Sequence, residues 1–429
     1  MAAFTHPPVQ ILKETAKVAR AVAVTLVRIV LCAIPRSSSV WVFGSSRGCK
    51  YGDNSMYFFR YCQRETNRCC IWLSRSDAIV RQLREEGLRA YQAHGIRGIY
   101  YGLRAQWHIV DVDSSDTSRV TSEGALLLNL WHGIPLKDIR RFSSGVRSGV
   151  GRGWIADFIL HYRCAADRRY LVHPNRIQTP ELVKAFHLRP ENILLANLPR
   201  NVALEPGFKR EEYLLGGTCR ELDELGEALR PFGKVVGYFP TWRDEGQDLF
   251  LGMLAPEELR ELNDFLQEHG IVLLTKWHRC SFAEYQQPGV SRTAQSIDSV
   301  LAQCSNIISL PFHTDLNSVL PQVDLLVTDY SSALFDFLLS DRPQLFYPYD
   351  LETYRQQWGF LFPYEQTMPG PIVRSGRELQ AELKAFSEDP AGYGTRWQAA
   401  RARLRDLVFE TRESSARIVA CMEEITSIR

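Results

Sequence analysis

Short apolar runs alternate with helical patterns along almost the whole chain, and few folds can use that alternation. The clearest instance is Val323-Asp324-Leu325-Leu326-Val327-Thr328-Asp329-Tyr330-Ser331-Ser332. Its apolar half is short and reads as a strand buried on both faces of a parallel sheet. Its polar half is a turn, and the following Ala333-Leu334-Phe335-Asp336-Phe337-Leu338-Leu339 is helical in pattern. Hydroxyls at the junction leave two readings open. One is an ordinary capped strand-to-helix turn. The other is an anion site, where N–H groups, helix dipole and Ser hydroxyls face the end of the strand.

The same unit recurs in both halves. Strands are expected at Val40–Gly44, Cys70–Leu73, Trp107–Val112, Ala125–Leu130, Tyr170–Val172 and Ile193–Leu195, then at Lys234–Phe239, Ile271–Thr275, Asn306–Ile308, Val323–Thr328 and Gln344–Tyr347. Helices are expected from Met56, capped by Asp53-Asn54-Ser55, and near Asp77–Glu86, Gly95–Ala105, Pro256–Glu268, Thr314–Leu320, Ser332–Leu339 and Leu351–Gln356. The last forty residues or so read as one or two terminal helices. This pattern predicts an α/β protein with two Rossmann-like, doubly wound domains. With 429 residues, 45% of them hydrophobic, the chain has room for two cores. The expected division is 1–36 as an amphipathic segment, 37–207 and 208–390 as the two domains, and 391–429 as terminal helices. The linker is placed in Leu204–Arg210, around Pro206 and Gly207. In such folds ligands bind outside the carboxyl ends of the strands, in a cleft between domains.

A formal net charge of +2 gives no reason to expect nucleic acid as a partner. Local charge says more: Arg140, Arg141, Arg147, Arg152, Arg163, Arg168, Arg169 and Arg176 crowd one stretch, which suits either an anionic ligand or a solvated face. The ten cysteines show no CxxC spacing, and several (Cys32, Cys62, Cys304) lie in apolar runs, so they read as reduced, buried thiols. Residues 9–34 carry an apolar stripe interrupted by Lys13, Lys17, Arg20 and Arg28. That is too broken to span a bilayer and reads as a basic amphipathic helix on an anionic membrane surface, the alternative being a helix that packs on the body of the protein.

Four strand ends carry chemistry. Asn129-Leu130-Trp131-His132-Gly133-Ile134-Pro135-Leu136-Lys137 delivers a His into a Gly/Pro turn with a Lys behind it. Imidazole is the usual base for a hydroxyl nucleophile, and Lys137 suits a phosphate. Gly237-Tyr238-Phe239-Pro240-Thr241-Trp242-Arg243-Asp244 offers Thr241 and the planar fork of Arg243 to phosphate oxygens. Leu274-Thr275-Lys276-Trp277-His278-Arg279 ends a strand in a cation and a second His. The fourth is the Asp329, Ser331 and Ser332 turn, followed by Tyr347 and Asp350, which suit a base or ribose. No P-loop pattern and no GxGxxG after a strand occurs. Asp111-Val112-Asp113 is a weak DxD, and no cluster predicts a tightly held metal or a cofactor.

These segments resemble the CDP-glycerol glycerophosphotransferase family of teichoic acid primases and polymerases and related capsule enzymes. The resemblance rests on Val42-Phe43-Gly44-Ser45 with Asp53-Asn54-Ser55, and on Trp131 to Lys137. It continues through Leu198-Pro199-Arg200-Asn201, Phe239 to Arg243, Lys276-Trp277-His278, Asp324 to Phe337, Arg342-Pro343 to Tyr354, and Pro369-Gly370-Pro371. This chain has Asn197 and Val202 where the family usually has Gly and Asp, and Arg279 in place of a common Pro. The resemblance implies a GT-B-like fold and transfer of glycerol or ribitol phosphate from a CDP-alditol to a hydroxyl of a lipid-linked acceptor, with release of CMP. It implies a peripheral enzyme on the cytoplasmic face of the cell membrane. His132 matches the family's base, with His278 the second catalytic His. Lys137, Thr241, Arg243, Asp329, Ser331, Ser332, Tyr347 and Asp350 match the donor side. The alternatives are a sugar-nucleotide glycosyltransferase of the same fold and a non-catalytic membrane-associated scaffold.

Overall fold

A computed structural model of the protein describes residues 30–139, 168–241, 254, 256–276, 301, 303–311 and 313–428. The chain divides into two compact units. The first draws on residues 1–132, 139–200 and 411–429, the second on 133–138 and 201–410.

The first unit is built on strands β1 (Ser37–Phe43), β2 (Cys69–Ser74), β3 (Ala90–Gln92), β4 (Ala105–Val110), β5 (Leu126–Asn129), β6 (Arg169–His173) and β7 (Ile193–Leu195). They form one sheet in the order β3-β2-β1-β4-β5-β6-β7. Every pairing is parallel. The apolar runs are buried on both faces, as Trp41, Val42 and Phe43 in β1 and Trp107, Ile109 and Val110 in β4 illustrate. Helices α1 (Asp53–Glu65), α2 (Asp77–Glu85), α3 (Ile96–Arg104) and α4 (Thr179–Phe186) supply connections between the strands.

The second unit holds β8 (Lys234–Tyr238), β9 (Ile271–Lys276), β10 (Ile307–Leu310), β11 (Leu325–Thr328) and β12 (Gln344–Phe346), in the parallel order β10-β9-β8-β11-β12. Its helices are α5 (Gly216–Leu229), α6 (Pro256–Glu268), α7 (Leu316–Val319), α8 (Ala333–Phe337), α9 (Leu351–Trp358), α10 (Tyr364–Thr367), α11 (Gly376–Glu388), α12 (Pro390–Arg396) and α13 (Gln398–Val408). The last helix, α14 (Ser415–Ile428), packs in the first unit against α1, with Arg68 on Glu423 at 3.0 Å and Trp107 Nε1 donating to Thr426 at 3.2 Å. In both sheets the strand order reverses once, between β1 and β4 and between β8 and β11. Those reversals are where an open parallel sheet leaves room for a ligand.

The two doubly wound sheets are those expected. Three details differ. The first helix starts at Asp53, after Gly52, and not at Met56. Asp53, Asn54 and Ser55 therefore lie inside its first turn, and their side chains are engaged elsewhere. Cys32, in the short helical turn before β1 rather than in a buried strand or helix, is exposed, while Cys62, Cys70 and Cys304 are buried. The C-terminal stretch forms three helices, since Trp397 and Phe409 interrupt the helical backbone. The amphipathic segment 9–34 lies outside the described residues up to residue 29.

Candidate active site

In the second unit, Asp329 follows β11 and organises the reversal between β8 and β11. Its buried Oδ1 accepts from Thr241 N at 2.7 Å and from Tyr330 N. Thr328 Oγ1 donates to Phe239 O at 2.7 Å, and Phe239 N donates to Val327 O at 3.0 Å, so the ends of the two strands are stitched together. Tyr364 OH donates to Asp329 O at 2.9 Å. One oxygen of the Asp329 carboxylate is thus engaged within the reversal. Ser331 and Ser332, after Tyr330, are half-buried and precede α8. Leu334 N and Phe335 N close back onto Ser331 O and Ser332 O, and Ala333 N lies 3.4 Å from Ser331 Oγ. Among the described residues the N–H groups of Ser331 and Ser332 have no hydrogen-bond partner. The helix behind them has only five residues, continued by a 3-10 turn. The macrodipole invoked from sequence is accordingly small.

Tyr330 points the other way, into the core. Its OH donates to Asp350 Oδ1 at 2.9 Å and its ring stacks on Tyr354 at 3.8 Å. Burial and the Asp350 and Asp329 charges push its phenol far above the ordinary value. Lys137 belongs to this unit. Its backbone bridges to Phe360, and its Nζ lies 5.9 Å from the Tyr354 ring and 5.6 Å from the Trp358 ring. Asp350 is half-buried, whereas Tyr347 is buried in the core with Val236, Tyr238 and Leu345. Arg243 and His278 lie outside the described residues.

In the first unit, His132 is exposed at the end of β5. Trp131 before it adopts a left-handed backbone (φ 57°), and Gly133 after it has φ 143°, which only glycine adopts with ease. The Trp131 ring lies 4.0 Å from the imidazole and 4.7 Å from Phe186. Trp131 N donates to Asn129 Oδ1 at 2.8 Å, and Trp131 O accepts from Asn54 Nδ2 at 2.7 Å. Asn54 Oδ1 accepts from Arg200 N at 3.1 Å, and Arg200 Nη1 pairs with Asp53 Oδ1 at 2.7 Å. Burial pushes the Asp53 carboxyl up, but the charges of Arg200, Lys50 and His132 prevail and hold it below its usual value. Ser55 donates its N–H and Oγ to Asp111 Oδ1 at 2.8 and 2.9 Å. Burial, then the Asp53 charge, pushes Asp111 well above the carboxylate range. Asp113, the other half of the DxD, caps a 3-10 turn through Ser115 N at 2.6 Å. Among the described residues no group of His, Cys, Asp and Glu could hold a metal ion.

The structure therefore brings Thr241, Asp329, Tyr330 and Ser331 together at one strand reversal. Sequence reading missed the roles of Asn54, Asp53 and Arg200 around the His132 turn. Their motifs were visible, but partners so far apart in the chain were not.

Comparison with known proteins bears on the family and the fold. The model of the family described as CDP-Glycerol:Poly(glycerophosphate) glycerophosphotransferase matches residues 26–424. A teichoic acid glycerol-phosphate transferase of Staphylococcus aureus is 28% identical over 370 residues, covering 85% of this chain and 87% of that protein. A teichoic acid poly(glycerol phosphate) polymerase of Staphylococcus epidermidis is 27% identical over 80% of this chain, which spans 45% of that longer protein. In fold, the chain is similar to the wall teichoic acid polymerase TagF, with a TM-score of 0.67 at 22% identity over 97% of both chains. The chain belongs to the CDP-glycerol glycerophosphotransferase family and is an enzyme of that family.

Proposed function

We propose that the protein transfers an alditol phosphate, glycerol phosphate in the first instance, from a CDP-alditol to a hydroxyl of a lipid-linked acceptor in teichoic acid synthesis. The observation that carries this reading is the turn after β11. There Asp329 draws in Thr241 N and Tyr330 N, and among the described residues the adjacent N–H groups of Ser331 and Ser332 have no hydrogen-bond partner, beside two hydroxyls. Such a pair of donors fits a phosphate oxygen. Lys137, Arg243 and His278 add positive charge to the donor side, Thr241 adds a hydroxyl, and Tyr347 and Asp350 back the nucleotide site.

His132 takes the proton of the acceptor hydroxyl. The oxygen attacks the β-phosphorus of the donor, the bond to the CMP phosphate oxygen breaks, and its electron pair leaves with CMP. A general base of this kind contributes about 10²–10⁴-fold. Incubation with CDP-glycerol, and separately CDP-ribitol, in the presence of a lipid-linked disaccharide is expected to release CMP, with a loss of that size in His132→Ala. No CMP release with either donor, or full activity in His132→Ala, would refute the reading. Thermal stabilisation by CDP-glycerol but not by UDP-sugars separates it from a sugar-nucleotide transferase.

The site of action is the surface of an anionic membrane. Helix α3 supports this. Gly98 and Gly102 face inward, where an added Cβ would meet Gln92 O at 1.9 Å and Thr121 Oγ1 at 2.4 Å. Ile96, Ile99 and Tyr100 face outward and are 88%, 41% and 58% exposed, beside the exposed Arg97. An apolar stripe at i, i+3, i+4 turned to solvent with a cation beside it suits the bilayer interface.

A further inference from the structure

We propose that Asn54 is a positioning residue for His132: its carboxamide, braced by the Asp53–Arg200 ion pair, holds the Trp131 carbonyl and so sets the turn from which the imidazole projects. This inference rests on the reading of His132 as the base.

Asp53, Asn54 and Ser55 stand where a sequence would cap a helix, yet Gly52 is the N-cap and makes no side-chain cap. Each of the three side chains reaches a different strand end. Asp53 pairs with Arg200, after β7, at 2.7 Å. Asn54 Nδ2 donates to Trp131 O, after β5, at 2.7 Å. Ser55 holds Asp111, after β4. The middle contact falls on a residue that needs holding. Trp131 has φ 57°, a left-handed conformation that a side chain with a β-carbon disfavours. Two hydrogen bonds oppose its relaxation: Asn129 Oδ1 on its N–H and Asn54 Nδ2 on its carbonyl. The second fixes the peptide plane that leads directly into His132. Asn54 is fully buried, and its other end accepts from Arg200 N at 3.1 Å, so the amide cannot swing. The Asp53–Arg200 pair anchors that backbone from the far side.

The test uses the full chain with CDP-glycerol and a lipid-linked disaccharide. Asn54→Asp keeps the shape and the acceptor for Arg200 N but removes the donor to Trp131 O. A misplacement of the reacting group by about 1 Å costs about 10²-fold. The expected result is a fall of that order in kcat, with KM for CDP-glycerol within about twofold, since the donor turn after β11 is untouched. In spectra of ring-labelled histidine, the His132 resonance, assigned by its loss in His132→Ala, moves in the variant. The resonances of His108 and His173, both buried in the same sheet, stay in place and report an intact fold. Should those two signals be lost, Asn54→Ser, which suits a helix first turn, replaces it with the same expectation. Wild-type kcat, or an unmoved His132 resonance in a folded variant, overturns the proposal. Full transfer by His132→Ala instead overturns the base reading, and the position of the ring resonance then decides the role of Asn54 by itself.

Discussion

Asp111 carries a buried carboxylate that the fold supplies with good hydrogen bonds on one oxygen only. Ser55 donates twice to Oδ1, while Oδ2 has no hydrogen-bond partner of ordinary geometry, and the Ser45 and Ser55 hydroxyls pull toward the charged form without offsetting burial. Burial and the neighbouring Asp53 charge therefore raise its pKa well above the usual range. The sign follows from proton binding. Above pH ~4 the unfolded chain has lost this proton and the folded chain has kept it, so this group makes stability fall as pH rises. Asp111→Asn keeps the acceptor for Ser55 and removes the cost of the charge. Its gain in Tm is expected to be near zero at pH 4 and to grow to about 2–4 °C by neutral pH. Scanning calorimetry across that range checks it, and a gain independent of pH would contradict the assignment. The residue type was legible in the sequence as half of a DxD. Its environment was not, because Ser55 and Asp53 come from a different helix and the two carboxylates of the motif do unrelated work. Asn54 is the sharper case: a helix-cap residue by local rules, taken over by a contact 77 positions away.

At the scale of elements, the parallel strands were largely readable, because buried apolar runs such as Ile271–Lys276 and Leu325–Thr328 admit few other uses. The edge strand Ala90–Gln92 escaped, being three residues long with only Ala90 buried. Helix α5 escaped too: it starts with two glycines and buries only Leu222 and Leu229. The sheet of the first unit also encloses two histidines that no pattern announces. His108, in β4, is fully buried between Thr117 Oγ1 at 2.8 Å and Gly102 O at 3.0 Å, and burial pushes its pKa down to about 3. His173, in β6, bonds Gln178 Oε1 at 2.9 Å, and burial lowers it to about 4. Both stay neutral in the folded state while the unfolded chain takes up protons below pH ~6.5, so the stability they contribute is lost as pH falls from there. At pH 5 each withdraws about 2 kcal/mol. The first unit is expected to lose stability steeply between pH 6.5 and 4, and His108→Gln, which keeps polar contacts without a titrating ring, to flatten that loss. Urea denaturation at stepped pH, followed by tryptophan fluorescence, to which the buried Trp41, Trp72 and Trp107 of this unit contribute, provides the measurement; an unchanged pH slope in His108→Gln would rule the effect out.

For the molecule as a whole, the sequence placed the linker at Leu204–Arg210, and the division by contacts falls at Arg200 and Asn201, with two features no linear reading supplies. The chain enters the second unit for Gly133–Asp138 directly after His132, and α14 returns to the first unit. The proposed membrane contact belongs to the same scale. Among the described residues no helix is long and apolar enough to cross a membrane. What the first unit does present is the outward stripe of α3, with Val120 also exposed near the helix's C-terminal end, where Gly102 meets Thr121. Arg104 Nη1 donates to Pro35 O at 2.6 Å, so the basic segment 9–34 ends against this helix. Burial of an isoleucine in a lipid interface is worth about 1.5–3 kcal/mol, and a carboxylate in its place adds a cost. The chain is expected to sediment with vesicles rich in anionic phospholipid and not with zwitterionic ones, and added salt should weaken that binding. The double variant Ile96→Asp with Ile99→Asp should lose at least about tenfold in vesicle affinity. Its stabilisation by CDP-glycerol should be unchanged, because the proposed donor site is the turn after β11, in the other unit. Equal binding to both vesicle types, or a double variant that binds as the parent does, would remove α3 from the membrane surface.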